Sequence, residues 1–209
     1  MKRLYLTSAV SFVAKDIAKH IGKVKGLKLA FINTPAELEK KDLEWQDDDR
    51  NSLVEVGFDI FDYTITDKAK EQIKNDLSAS DVIYISGGNQ FYLLEKIQET
   101  GCADIIRNYV AKGKIYIGTS AGSMIAGVNQ LCGYRPDLMK GVGKLKDYQG
   151  LGLVDFIVFP HWGSKDFEEK YFGFRLKHSY TEKDKVILLT NYQYVKVEGD
   201  MYRVIDIRD

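Results

Sequence analysis

Cysteine is scarce in this chain, with only Cys102 and Cys132 among 209 residues. Two thiols do not make a disulfide scaffold, and they suit a reduced, cytoplasmic setting. Neither has a second Cys or a His at metal-ligand spacing, so neither a zinc site nor any other cofactor is expected. An excess of one charge is also missing. Lys plus Arg and Asp plus Glu both number 30, which gives a formal net charge of zero. A nucleic-acid binder usually carries a basic surplus, and the Lys-rich stretch from Lys140 to Lys146 reads instead as a solvated loop. No apolar run approaches the ~20 residues of a membrane span. Leu4-Tyr5-Leu6, after Met1-Lys2-Arg3, is too short for the core of a signal peptide. Internal repeats, low-complexity tracts and linkers are absent as well. One domain over residues 1–209 is therefore expected, for which the 44% hydrophobic content is ordinary.

What the chain does have is alternation. Short β-branched apolar runs at 4–6, 28–32, 58–63, 82–85 and 114–117 are separated by segments with helical spacing, among them 11–21, 38–56 and 69–77. This pattern predicts βαβ units, hence an α/β fold with a mainly parallel sheet and helices on both faces. Strands as continuously apolar as Val82-Ile83-Tyr84-Ile85 suit a sheet covered on both sides. Beyond Gly127 the spacing predicts a strand over 155–160, a helix over 166–180, and strands over 186–190, 194–198 and 202–207. The last two form a hairpin across Gly199-Asp200.

Three segments carry chemistry. Gly118-Thr119-Ser120-Ala121-Gly122 has the G-x-S-x-G spacing of a nucleophile elbow, lies after an apolar strand and precedes an apolar helix start. Small neighbours let the chain turn sharply, lift the Ser120 oxygen above the strand ends and aim the first helical N–H groups at the same place. Ser86-Gly87-Gly88-Asn89 also follows a strand, at the carboxyl edge where open α/β sheets bind ligands. Gly88 is a candidate oxyanion donor. Asn89 is a candidate substrate-orienting amide or, alternatively, the N-cap of the next helix. His161, in Phe159-Pro160-His161-Trp162, follows a strand too and is the candidate base for Ser120. His20 and His178 lie in charged, helix-like surroundings and read as surface residues.

Together these segments, with Leu151-Gly152-Leu153-Val154-Asp155, resemble the peptidase E (aspartyl dipeptidase) family, which includes cyanophycinase-like enzymes. The resemblance implies a fold like that of class I glutamine amidotransferases, with serine in place of the usual cysteine. It implies Ser120 as nucleophile, His161 as general base and the Gly88 and Ala121 N–H groups as oxyanion hole. It also implies Arg175 as the reader of an N-terminal acidic side chain, against a plain surface arginine of a helix. The family's triad acid maps onto the loop Leu189-Thr190-Asn191-Tyr192-Gln193, where Asn191 stands in the carboxylate's place. Asn191 and Asp137 are both candidates for the third member.

The expected function is serine-type hydrolysis of small peptides, with dipeptides bearing an acidic first residue as a candidate class, by a small α/β enzyme of the kind that often pairs as a homodimer. Asn191 leaves open a weak or inactive peptidase-like protein that binds amino acids or peptides. An α/β-hydrolase esterase shares the G-x-S-x-G spacing, but it needs a histidine near the C-terminus, and none follows His178.

Overall fold

The computed structural model describes residues 1–39, 43–176 and 183–208. Its strands are β1 (Arg3–Thr7), β2 (Lys28–Ile32), β3 (Asp59–Tyr63), β4 (Val82–Ile85), β5 (Ile115–Thr119), β6 (Ile157–Phe159), β7 (Val186–Leu188), β8 (Gln193–Glu198) and β9 (Met201–Asp206). The helices are α1 (Val10–Ile21), α2 (Glu44–Glu55), α3 (Lys70–Ser78), α4 (Gln90–Thr100), α5 (Ala103–Ala111), α6 (Ala121–Met124) and α7 (Lys165–Lys170). The main sheet runs β3-β2-β4-β5-β1-β8-β9. Its first five strands are mutually parallel, and the β8–β9 hairpin extends it antiparallel from β1.

Side chains alternate across the sheet with the period of a strand. Leu4, Leu6, Ile83, Ile85 and Tyr116 face one way and pack with Ile73, Leu93 and Ile106 of α3, α4 and α5. Tyr5, Val82, Tyr84, Ile115 and Ile117 face the other way and pack with Val13 and Ile17 of α1 and Leu53 of α2. Helices therefore cover both faces, as the continuous apolar strands require.

Several boundaries differ from the sequence expectation. The 38–56 segment opens with loop, and its helix starts at Glu44; residues 40–42 lie outside the described set. The helix after Ser120 is a single turn of four residues. Gly127, three residues beyond its end, lies against the Phe156 carbonyl oxygen, which a Cβ there would meet at 2.6 Å. The helix expected over 166–180 is α7 followed by a wider π-helical turn, Tyr171–Arg175, and positions 177–180, with His178, lie outside the described residues. His20 is partly exposed and near Asp16, as a surface residue would be.

Two features place the site. Strands β4, β5 and β1 are consecutive neighbours, so the loops at their carboxyl ends, at Gly87-Gly88, Ser120 and Ser8, lie side by side. Strands β6 and β7 form a separate parallel pair, which brings the loops after Phe159 and Leu188 together.

The turn at Ser120 depends on glycine. A Cβ on Gly122 would lie 2.1 Å from the Ile85 carbonyl oxygen, and one on Gly118 would lie 2.6 Å from Gly122 backbone. Gly122→Ala must push β4 and the turn apart, which should lower stability by about 1–3 kcal/mol. Urea denaturation should show the lower midpoint with an unchanged slope.

Candidate active site

Ser120 follows β5 with φ 49° and ψ −107°, a left-handed conformation that is strained for a residue with a side chain. Its neighbours hold it there. The Ser120 N–H donates to the Thr7 carbonyl at 3.0 Å, and the Gly122 N–H donates to the Ser86 carbonyl at 3.2 Å. The buried Ser123 hydroxyl is 2.7 Å from both the Thr7 and Gly118 carbonyls. The buried Tyr116 hydroxyl donates to the Gly122 carbonyl at 2.6 Å.

Those bonds also decide which N–H groups remain. The N–H groups of Ser123 and Met124 both return to the Ser120 carbonyl. Ala121, as the first residue of its turn, has no preceding helical carbonyl to bond. Among the described residues its N–H has no protein acceptor, and neither does that of Gly88. Gly88 has φ 123°, and a Cβ there would collide with the Pro35 carbonyl oxygen at 2.3 Å, so the diglycine is dictated by close approach. The Cβ position of Gly87 lies 3.4 Å from the Ser120 Cβ and 3.1 Å from the Trp45 ring, which sets the loop directly against Ser120.

His161 is also left-handed, at φ 64°. Its Nε2 is 3.1 Å from the Ser120 Oγ, and its Nδ1 is 2.9 Å from the Asn191 Oδ1. With a carbonyl oxygen at Nδ1, the ring donates from Nδ1 and presents the Nε2 lone pair to the Ser120 hydroxyl. The imidazole stacks on Phe167 at 4.5 Å. Its pKa lies below the usual value, first because of burial and further because of the positive Arg175 and Lys170; the Asn191 hydrogen bond opposes this.

Asp137 does not reach the histidine; its carboxylate pairs with Arg135, which holds its pKa low. Asn89 caps α4, its Oδ1 accepting from the Phe91 and Tyr92 N–H groups, and its Nδ2 donates to the Leu138 carbonyl at 2.6 Å. Its amide is committed to capping and to the 136–139 turn, although it lines the cavity. Arg175 is not a surface residue. It is 3% exposed, lies over the Phe159 and Tyr171 rings and reaches the Tyr171 hydroxyl at 3.4 Å.

The residues that the sequence put forward for the site all line one cavity of about 730 Å³, a size usual for small-molecule sites. The sequence reading missed Ser8. Its buried hydroxyl donates to the Leu189 carbonyl and accepts the His161 N–H at 3.1 Å, joining the small sheet to the main one. Its position directly after β1, at the same sheet edge, was the available signal. The reading also missed Trp45 and Gln90, whose neighbours in space are remote in sequence.

The family model for peptidase family S51 matches residues 5–205. The chain belongs to peptidase family S51. An uncharacterized peptidase of Pasteurella multocida is 33% identical over 169 residues, 81% of each chain. Peptidase E of a Nostoc species is 31% identical over 113 residues, which are 54% of this chain and 43% of that one. A crystal structure of a proposed peptidase E protein from Listeria monocytogenes superposes with a TM-score of 0.90 at 26% identity, covering 99% of both chains. This S51 chain is thus a peptidase with the α/β fold of that structure. The esterase alternative, which needed a C-terminal histidine, is set aside.

Because an amide faces His161, its imidazolium lacks an adjacent anion. Asn191→Asp should raise the His161 pKa by about 1–3 pH units, since the new carboxylate favours the charged ring. Titration of the His161 Cε1–H resonance by NMR should show the wild type ionising below the ordinary histidine value and the variant ionising at higher pH than the wild type.

Proposed function

We propose that this S51 peptidase is a serine-type enzyme that hydrolyses small peptides, with dipeptides bearing an acidic first residue as the preferred class, through an acyl-enzyme on Ser120. The observation that carries this reading is the 3.1 Å approach of the His161 Nε2 to the Ser120 Oγ at the cavity wall. Ser120 attacks the scissile carbonyl while His161 takes its proton, and the oxyanion forms between the Gly88 and Ala121 N–H groups. His161 then passes the proton to the leaving amine, and water attacks the acyl-enzyme with the same histidine as base.

Asn191 holds the productive tautomer but supplies no charge to the imidazolium. Burial lowers the His161 pKa and so favours the neutral ring, the form a base must have. Arg175, a buried guanidinium on the same cavity, supports a carboxylate on the substrate.

The amide in place of a carboxylate favours one other reading, a binding protein with little turnover. Assay of dipeptides separates the two. Ser120→Ala and His161→Ala should each keep the native circular dichroism and lose hydrolysis of aspartyl dipeptides by roughly 10⁴-fold or more. Equal turnover by wild type and Ser120→Ala would refute the serine mechanism, and no turnover by wild type would leave the binding protein.

A further inference from the structure

Two aromatic residues face the cavity without serving the fold. Trp45 is half-buried and lines the cavity; a Cβ on Gly87 would meet its ring at 3.1 Å and the Ser120 Cβ at 3.4 Å, so the ring stands beside the nucleophile. Phe12 also lines the cavity and is 46% exposed. Among the described residues, neither belongs to the two cores that cover the sheet. A lone exposed apolar residue is ordinary. Two on the wall of a ligand-sized cavity, one of them beside its nucleophile, point to apolar ligand surface.

The two rings belong to one wall. Trp45 and Asp49 are one turn apart on α2 and share a face. The buried Asp49 carboxylate accepts from the Ser11 N–H at 3.0 Å and from the Tyr84 hydroxyl at 2.7 Å. The first bond ties α2 to the first turn of α1, where Phe12 follows Ser11; the second ties both helices to β4. Phe12 then meets the Tyr192 ring edge-on, 5.1 Å between centroids, directly after Asn191. The wall therefore runs from the Gly87 loop to the side of the site where Asn191 holds His161.

Arg175 lies on the other wall. Its guanidinium is over Phe159 and Tyr171, which cluster with Met124 of α6. α6 packs on α4, and α4 covers the sheet face opposite to α1 and α2. Ser120 stands between the two walls. Successive side chains of an extended peptide point to opposite sides. A dipeptide whose first side chain turns toward Arg175 thus turns its second toward α1 and α2. Its leaving nitrogen has to lie near the His161 Nε2, which brings the second residue past the end of α1.

We propose that Phe12 and Trp45 form the subsite for the leaving residue and make the enzyme select an apolar side chain at the second position of the peptide. The inference rests on the peptidase reading for its ligand class, but binding tests it without turnover. Phe12 and Trp45 supply apolar contact area and no charge. Their effect falls on the size of the second side chain and not on recognition of the first.

The test is calorimetric binding of the dipeptides Asp-Leu and Asp-Ala to Ser120→Ala, alone and combined with Phe12→Ala, Trp45→Ala or both. Melting curves confirm that each variant is folded. Ser120→Ala should bind Asp-Leu about tenfold tighter than Asp-Ala, because leucine adds three carbons to the buried apolar surface. Phe12→Ala and Trp45→Ala should each cut that ratio by about threefold, and together they should bring it close to one. Phe12→Leu and Trp45→Phe, which keep an apolar surface, should retain most of it. A purely structural role would weaken both dipeptides alike and leave the ratio intact in the double variant, which would overturn the proposal. Equal affinity for the two dipeptides in Ser120→Ala, or binding of neither, would overturn it as well. Turnover by the wild type separates the two readings. The binding preference without hydrolysis would refute the peptidase reading and keep the subsite; hydrolysis without the preference would do the reverse.

Discussion

The site depends on one crowded backbone contact, where Gly122 of the turn after β5 lies against the Ile85 carbonyl at the end of β4. No side chain fits between them, and the turn closes with Ser120 in a left-handed conformation. Strain of that kind costs on the order of 1–3 kcal/mol. Hydrogen bonds from Ser120, Gly122, Ser123 and Tyr116 tie the turn to β1, β4 and β5. At about 0.5–1.5 kcal/mol each, they together match or exceed the strain. The consequence is chemical. The turn uses up the N–H groups on either side of Ala121, and among the described residues leaves that one without a protein acceptor, next to the Ser120 hydroxyl.

The rest of the site arrives by a separate route. His161 and Asn191 stand on the ends of β6 and β7, a pair of three-residue strands that are not part of the main sheet. Their parallel pairing brings the imidazole and the amide together, and Ser8 latches the pair to the end of β1. The same side of the cavity carries Phe167, Lys170 and Arg175, so the apolar burial and positive field that keep His161 neutral come from the segment that follows it. In the proposed reading, one short helical stretch both tunes the base and forms the wall that selects the substrate.

Much of this was legible along the chain, because it rests on local patterns. Apolar runs such as Val82-Ile83-Tyr84-Ile85 announce covered strands, and the hairpin at Gly199-Asp200 follows from its turn residues. The glycines around Ser120 reflect a close approach that only their size permits. Long-range partners were less legible. Asn89 has the sequence of both a cap and a ligand-binding amide; the Leu138 carbonyl, 49 residues away, takes its donor. Asp137 lies in a loop with no periodicity, and its partner is Arg135, two positions away. Arg175 was open between a reader of an acidic side chain and a surface helical arginine; it lies buried at the end of a π-helical turn, and no spacing rule marks such a turn. Ser8 was hidden because a serine after a strand is common, and its two partners come from the far end of the chain.

The central claim is that Ser120 is a hydroxyl activated by a neutral imidazole that an amide, not a carboxylate, holds in place. Covalent labelling by a fluorophosphonate, followed by mass spectrometry over a range of pH, tests it most directly. The account predicts one adduct, on the peptide that carries Ser120, whose rate of formation falls on acidification with a midpoint below the ordinary histidine value and is lost in His161→Ala. No adduct, an adduct on another residue, or equal labelling in His161→Ala would contradict it.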